Sequence, residues 1–210
     1  MLTLTRTANA GVLLCMDGKR MLLDGVCREV LPYPATPSHV RTGLCREYPD
    51  IVAVTHRHDD HCDPVFEAKF AITTGRPLLD PSWLGQKLRI GNFSVSAVPS
   101  RHLGRTDVAH VSYVIEGSHC VWFMGDAAPE QFKNRPDLPK PDVVIAPYAY
   151  ASTEFAWRIT RSLGAKYVVL LHLPDREKDS FGLRDAVRQT VGDTEGIFIP
   201  EMEDFIKINF

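Results

Sequence analysis

The chain has 210 residues, of which 44% are hydrophobic and 24% charged, and its formal net charge is −2. These are the values of an ordinary globular protein with a core of its own, and they predict a single domain spanning 1–210. They give no general affinity for nucleic acid or anionic membranes, and no apolar run approaches the roughly 18–20 residues needed to cross a bilayer.

The predicted elements, in chain order, intersperse strands and helices. Leu2–Thr7, Gly11–Met16 and Arg20–Asp24 alternate as three strands, with Asp17-Gly18 as the clearest hairpin turn. The start of the chain lacks the charged head and apolar stretch of a signal peptide. Pro32, Pro34 and Pro37 make Leu31–Pro37 an irregular loop. Ser38 is placed to cap a helix from His39 to Arg46. Asp50–Val54 is a short apolar, β-branched run and reads as a buried strand. Asp63-Pro64 starts a helix to about Phe70: Asp63 can cap it, and Pro64 suits the first helical position.

Two hairpins follow, Lys87–Ile90 with Phe93–Val98 and Val108–Glu116 with His119–Met124. Beyond the prolines at 136, 139 and 141, Asp142–Ala146 and Lys166–Leu171 read as strands, and Thr153–Leu163 and Phe181–Val191 as helices. Gly196–Ile199 and Asp204–Asn209 read as closing strands. There is no internal repeat, low-complexity segment or interdomain linker. The five cysteines show no paired spacing, which fits free thiols in a reducing compartment, so a cytoplasmic location is expected.

The chemistry concentrates in Thr55-His56-Arg57-His58-Asp59-Asp60-His61-Cys62-Asp63-Pro64, a His-x-His-x-Asp-His string between the strand and the helix. Imidazole and carboxylate are the usual ligands of zinc and similar ions. Four such groups so close together argue for more than one ion. Extended residues project with a period of two, so His56 and His58 can grip one ion, while Asp60 and His61, past the turn, can face a second. Further candidates stand where apolar strands give way to loops: His102, Asp126 behind Gly125, and His172. Arg57, Arg101, Arg105 and Arg176 flank these positions and would suit an anionic tail on the substrate, although solvated loop arginines are the commoner case. Tyr33, Tyr148 and Tyr150 lie on loops that can wall a pocket. His110 offers a proton donor or, more simply, a strand histidine with an ordinary partner. Cys62 reads as a core or supporting residue, and His39 and His119 as surface groups.

Taken together, the His-x-His-x-Asp-His string, a lone later His, a Gly-Asp and a strand-end His resemble the metallo-β-lactamase superfamily from His56 to His172. The resemblance implies an α/β fold, a four-layer αββα sandwich with the metals at one edge. It implies that His56, His58 and His102 bind a first metal, that Asp60, His61 and His172 bind a second, and that Asp126 bridges them. Asp24 resembles the early aspartate that supports the metal loop from behind. The implied cofactors are two divalent ions, foremost Zn2+, with Mn2+, Fe2+ and Ni2+ also compatible with N/O ligands. Such a pair, roughly 3.5–4 Å apart, can share a hydroxide and present it to a carbonyl or phosphoryl centre. Asp60 and Asp126 would be the catalytic carboxylates, one orienting the hydroxide and the other holding the ions.

The expected function is therefore hydrolysis of a small-molecule ester, lactone, thioester, amide or phosphoester, with no membrane partner. The resembling nucleases carry an added arm to hold RNA, which is not found here. A nucleotide phosphodiesterase is the first alternative and an iron-binding redox protein the second. The resembling flavodiiron proteins replace the second histidine by Glu, whereas this chain keeps His58.

Overall fold

In the computed structural model, which describes residues 1–210, the strands form two sheets that pack face to face. The first half supplies β1 (Leu2–Arg6), β2 (Val12–Met16), β3 (Lys19–Leu23), β4 (Ile51–Ala53) and β5 (Leu78–Leu79). The second supplies β6 (Lys87–Ile90), β7 (Phe93–Arg101), β8 (Ala109–Glu116), β9 (Cys120–Phe123), β10 (Val143–Pro147), β11 (Tyr167–Leu171) and β12 (Ile197–Phe198). The last strand, β13 (Phe205–Ile208), returns to the first sheet, whose order is β13-β1-β2-β3-β4-β5; the second is β12-β11-β10-β9-β8-β7-β6. Each sheet is an antiparallel meander that continues into parallel strands. The parallel pairs β3–β4 and β10–β11 are joined through the helices α1 (Ser38–Arg46) and α3 (Glu154–Ser162). The β2–β3 turn has φ +53° at Asp17 and +72° at Gly18, the left-handed pair that a two-residue hairpin requires.

Alternation along the strands fixes the four layers. Val12, Leu14, Met21 and Leu23 meet Val111, Tyr113, Val121, Phe123 and Ile145 between the sheets. The intervening Leu22 and Val52 point outward and are covered by Leu44 of α1 and by Phe66 and Phe70 of α2 (Pro64–Thr74). On the far side Trp122, Val144 and Leu170 are covered by Trp157 of α3 and by Val187 and Val191 of α4 (Leu183–Val191). This is the expected αββα order. No helix is long and apolar enough to cross a membrane.

Several local expectations need correction. Ser38 is inside α1; Pro37 precedes the helix, with no side-chain cap. The α2 helix runs four residues past Phe70 and stops at Gly75, whose φ of +61° ends it without a Cβ penalty. Strand β7 continues through Pro99, which lies beyond the stretch paired with β6. There β7 is an edge on that side, the setting in which a sheet tolerates proline. Helix α4 starts only at Leu183, where the Asp179 carboxylate accepts from the amides of Leu183 and Arg184. The edge strand β5 has two residues and gave no sequence signal.

Candidate metal centre

Strands β3, β4, β7, β9 and β11 all release functional residues at one edge of the sandwich: Asp24, the 55–61 loop, His102, Asp126 and His172. The structure brings all seven predicted ligands together. Ligand atoms of His56, His58 and His102, of His56, His61 and Asp126, and of Asp60, His61 and His172 form three interlocking groups. Within each group the atoms lie within 4.8 Å of one another. Asp126 is central, its Oδ2 lying 3.4 Å from His61 Nε2, 3.5 Å from His172 Nε2 and 3.6 Å from His102 Nε2. His172 Nε2 is also 3.1 Å from Asp60 Oδ2.

The surrounding hydrogen bonds decide which nitrogen of His56, His61 and His102 faces the cluster. His61 Nδ1 donates to Asp24 Oδ2 at 2.8 Å, so Nε2 is the inward atom. The same Asp24 oxygen accepts from the Thr55 hydroxyl at 2.6 Å, and Oδ1 accepts from the Thr55 amide at 2.8 Å. With its proton committed to Asp24, the Thr55 oxygen accepts from His56 Nδ1 at 3.0 Å and leaves His56 Nε2 as a lone pair. That lone pair stands 3.0 Å from His58 Nδ1. His102 Nδ1 donates to the Leu103 carbonyl at 2.7 Å, again freeing Nε2. Asp24 is thus the supporting carboxylate implied by the resemblance, and it is 1% exposed.

Backbone geometry completes the site. Gly125 has φ +53°, and a Cβ there would stand 2.5 Å from Thr55 Oγ1, so only glycine lets Asp126 come this close to the histidine loop. His172 also adopts a left-handed backbone, φ +62°, and its amide donates to the Asn9 carbonyl at 3.1 Å. Buried Arg6 grips that corner, donating to the carbonyls of Asn9 at 3.1 Å and Leu173 at 3.2 Å. His110 is a strand histidine with ordinary partners. Its Nδ1 pairs with Ser100 Oγ at 2.7 Å, and its Nε2 accepts from the Asp126 amide at 3.1 Å. Burial lowers its pKa to about 3, so it is neutral and unsuited to donating protons near neutral pH.

The cluster fits cations. His61 Nε2, His102 Nε2, His172 Nε2 and Asp126 Oδ1 are buried without a hydrogen-bond partner, each an omission of about 1–3 kcal/mol unless something binds it. Burial drives His56 well below the ordinary histidine range, keeping its lone pair free. Burial opposes ionisation of Asp126, yet His61 and His172 outweigh it and hold the carboxylate well below its usual range. Burial likewise opposes a charge on His61, but Asp126 and Asp24 outweigh it and draw a proton onto the ring. A cluster that collects a proton in this way is one that calls for positive charge.

The flanking residues divide. Arg57 turns away from the cluster to Glu67 and to Asp80. Arg105 pairs with Asp107 at 2.7 Å, and Arg176 with Glu201 at 3.1 Å. Only Arg101 lacks a carboxylate partner, and it is exposed. Tyr33 stands edge-on to His172 with ring centroids 4.4 Å apart, and Tyr148 approaches the same ring at 6.4 Å. Tyr150 does not wall the site: it is fully buried in the layer beneath α3. Cys62 is buried beside the loop, burial raising its pKa to about 11, and it belongs to none of the ligand groups. Sequence reading missed Thr55 as a relay and Arg6 as a clamp; the only signal for the latter was an arginine in period-two phase with Leu2 and Leu4 on the first strand.

Residues 3–172 match the family described as the beta-lactamase superfamily domain. No curated protein matches the sequence. Among solved structures the chain is similar to Igni18, a metallo hydrolase from Ignicoccus hospitalis KIN4/I, at 16% identity and a TM-score of 0.67, covering 100% of this chain and 99% of that one. It is similar to an isothiocyanate hydrolase from Delia radicum gut bacteria, at 16% identity and a TM-score of 0.69, covering 98% and 99%. It is also similar to CmlA, a diiron β-hydroxylase from Streptomyces venezuelae, at 14% identity and a TM-score of 0.64, covering 99% of this chain and 54% of that one.

Proposed function

The chain belongs to the metallo-β-lactamase superfamily, and on that premise we propose that it is a dinuclear metal-dependent hydrolase of small carbonyl compounds, foremost esters, lactones and thioesters. The observation that carries this reading is the convergence of seven ligand side chains into three groups that share His56 and His61. His56, His58 and His102 would hold one ion, Asp60, His61 and His172 the other, and Asp126, lying between the histidine sets, would hold both. Zinc suits this N/O donor set best. When bound, the two cations supply an activated water near neutral pH and polarise the substrate oxygen.

This chain's own residues do the rest. Asp24 and Thr55 lock the tautomers of His61 and His56, so their inward nitrogens need no reorganisation. Asp60 is nearly buried beside His172 and presents a carboxylate to orient the attacking water and take its proton. No Ser or Cys nucleophile is needed. The carbonyl preference is supported by the flanking cations: Arg57, Arg105 and Arg176 are already neutralised by carboxylates, which leaves Arg101 alone among them to grip a phosphate.

The test compares zinc-loaded and chelator-treated protein on p-nitrophenyl acetate, a lactone panel, thioesters and bis-p-nitrophenyl phosphate. Turnover of carbonyl substrates that vanishes with the metal, and in His58→Ala, is the expected result. Preference for the phosphodiester would favour the phosphodiesterase alternative, and oxygen consumption by iron-loaded protein would favour the redox one.

A further inference from the structure

Resting on the dinuclear reading above, we propose that Arg57, braced between Glu67 and Asp80, is the positioning residue that sets the histidines on either side of it to grip one ion. The ends of the ligand segment are fixed. The Thr55 amide donates to Asp24, and the Thr55 carbonyl accepts from the Val111 amide at 3.0 Å. The His58 carbonyl accepts from the amides of His61 at 3.0 Å and Cys62 at 3.1 Å. Between these points the amides of His56, Arg57 and His58 donate to no backbone carbonyl, and the carbonyls of His56 and Arg57 accept from no backbone amide. The rings differ in their support as well. Thr55 orients His56, Asp24 orients His61 and the Leu103 carbonyl orients His102. His58 has no partner outside the cluster: its Nδ1 meets His56 Nε2, itself a ligand atom.

Arg57 supplies what the segment lacks. In an extended stretch it projects opposite to His56 and His58, so anchoring its side chain fixes the direction of both. Nη1 donates to Glu67 Oε2 and Nη2 to Asp80 Oδ2, so one planar fork spans two carboxylates. Both anchors are themselves held. Glu67 lies on α2 beside Phe66 and Phe70, which pack with Leu22 and Val52 of the first sheet. Asp80 Oδ1 accepts from the Ser82 amide at 2.9 Å. Asp80 also follows Leu79, whose carbonyl accepts from the Val54 amide at 2.9 Å, just ahead of the histidine loop. An exposed ion pair would fix little, but the Glu67 side chain is 6% exposed, and a carboxylate that deep keeps its cation in place.

The experiment titrates zinc-loaded protein with a chromophoric chelator and follows the release of each ion. The step missing from His58→Ala is assigned to the His56–His58–His102 site, and urea midpoints are taken alongside. Arg57→Met keeps the stem and removes the fork, but it strands the buried Glu67 carboxylate. The double variant Arg57→Met/Glu67→Gln removes both charges and is measured beside it, together with Arg57→Lys, which keeps the charge without the fork. In the double variant the His56–His58–His102 site is expected to lose on the order of 10–100-fold in zinc affinity, while the Asp60–His61–His172 site, supported by Asp24, stays within about threefold. Arg57→Lys should fall between the parent and the double variant. This selectivity is the readout that a merely stabilising ion pair would not move. A first site at parental affinity, or both sites weakened alike with a lowered urea midpoint, overturns the proposal while the hydrolase reading stands. A parent protein that holds two zinc ions yet turns over no substrate sinks the hydrolase reading and leaves the positioning role of Arg57 to be decided by the same titration. A parent that cannot hold two zinc ions sinks the dinuclear reading, and the proposal with it.

Discussion

Asp24→Asn separates the structural from the chemical role of the buried carboxylate. Asp24 accepts three bonds, from the Thr55 amide, the Thr55 hydroxyl and His61 Nδ1. Alanine at that position strands these three buried donors at about 1–3 kcal/mol each, a sum of about 3–9 kcal/mol against a typical total stability of about 5–15 kcal/mol. Asparagine fills the same space. Its carbonyl oxygen can still accept from the Thr55 amide, which places its NH2 where Oδ2 stood, facing His61 Nδ1. Two donors cannot face each other, so His61 must accept there and carry its proton on Nε2, the atom that points at Asp126, and the Thr55 hydroxyl, which donated to the same oxygen, must turn to His56 Nδ1 and move that ring's proton to Nε2 as well. A protonated nitrogen cannot ligate. Asp24→Asn should therefore fold with a melting temperature within a few degrees of the parent. The Asp60–His61–His172 site directly, and the His56–His58–His102 site through Thr55, should lose on the order of 10–100-fold in zinc affinity, which is about 1.4–2.8 kcal/mol. Competition with a chromophoric chelator, read with metal content after dialysis, measures this directly. Two zinc ions held at parental affinity in Asp24→Asn would refute the tautomer argument.

Gly125→Ala should lower stability by about 2–5 kcal/mol, the sum of a left-handed backbone penalty of about 1–2 and overpacking against Thr55 of about 1–3. Its urea midpoint should fall and its zinc content with it, and a neutral result would mean Thr55 can yield without disturbing the loop. Asp63 starts α2 by accepting from the amides of Val65 and Phe66, and it pairs with Arg41. Burial opposes its ionisation, but Arg41 and those amides outweigh it and hold its pKa below the ordinary 3.8. A depressed carboxylate contributes stability above its unfolded pKa and loses it as pH falls through the folded value. Asp63→Ala should accordingly cost about 1–2 kcal/mol at pH 7, and the gap should shrink below about pH 4; a gap independent of pH would mean the carboxylate's charge contributes nothing.

The layers of this fold were legible because period-two alternation survives on both faces of β2, β3, β9, β10 and β11, with one set buried between sheets and the other under helices. The seven ligands were legible because they sit at strand ends in a distinctive order. What escaped reading was whatever the chain closes over long separations. Arg6 acts through carbonyls as distant as Leu173, and His110 through the amide of Asp126, contacts that leave no spacing signature. The arginines beside the ligands misled because sequence proximity says nothing of direction: Arg57 alternates away from His56 and His58 and is taken up by Glu67 and Asp80. Likewise the three loop tyrosines look alike in sequence, yet a single turn after β10 carries Tyr150 into the core and leaves Tyr148 at the site.

The measurement that bears most directly on the central claim is an anomalous difference map from crystals of the zinc-loaded protein. Two peaks roughly 3.5–4 Å apart are expected. One should touch His56, His58 and His102, the other Asp60, His61 and His172, with Asp126 reaching both. Zinc bound elsewhere, or full zinc loading with these side chains left free, would contradict it.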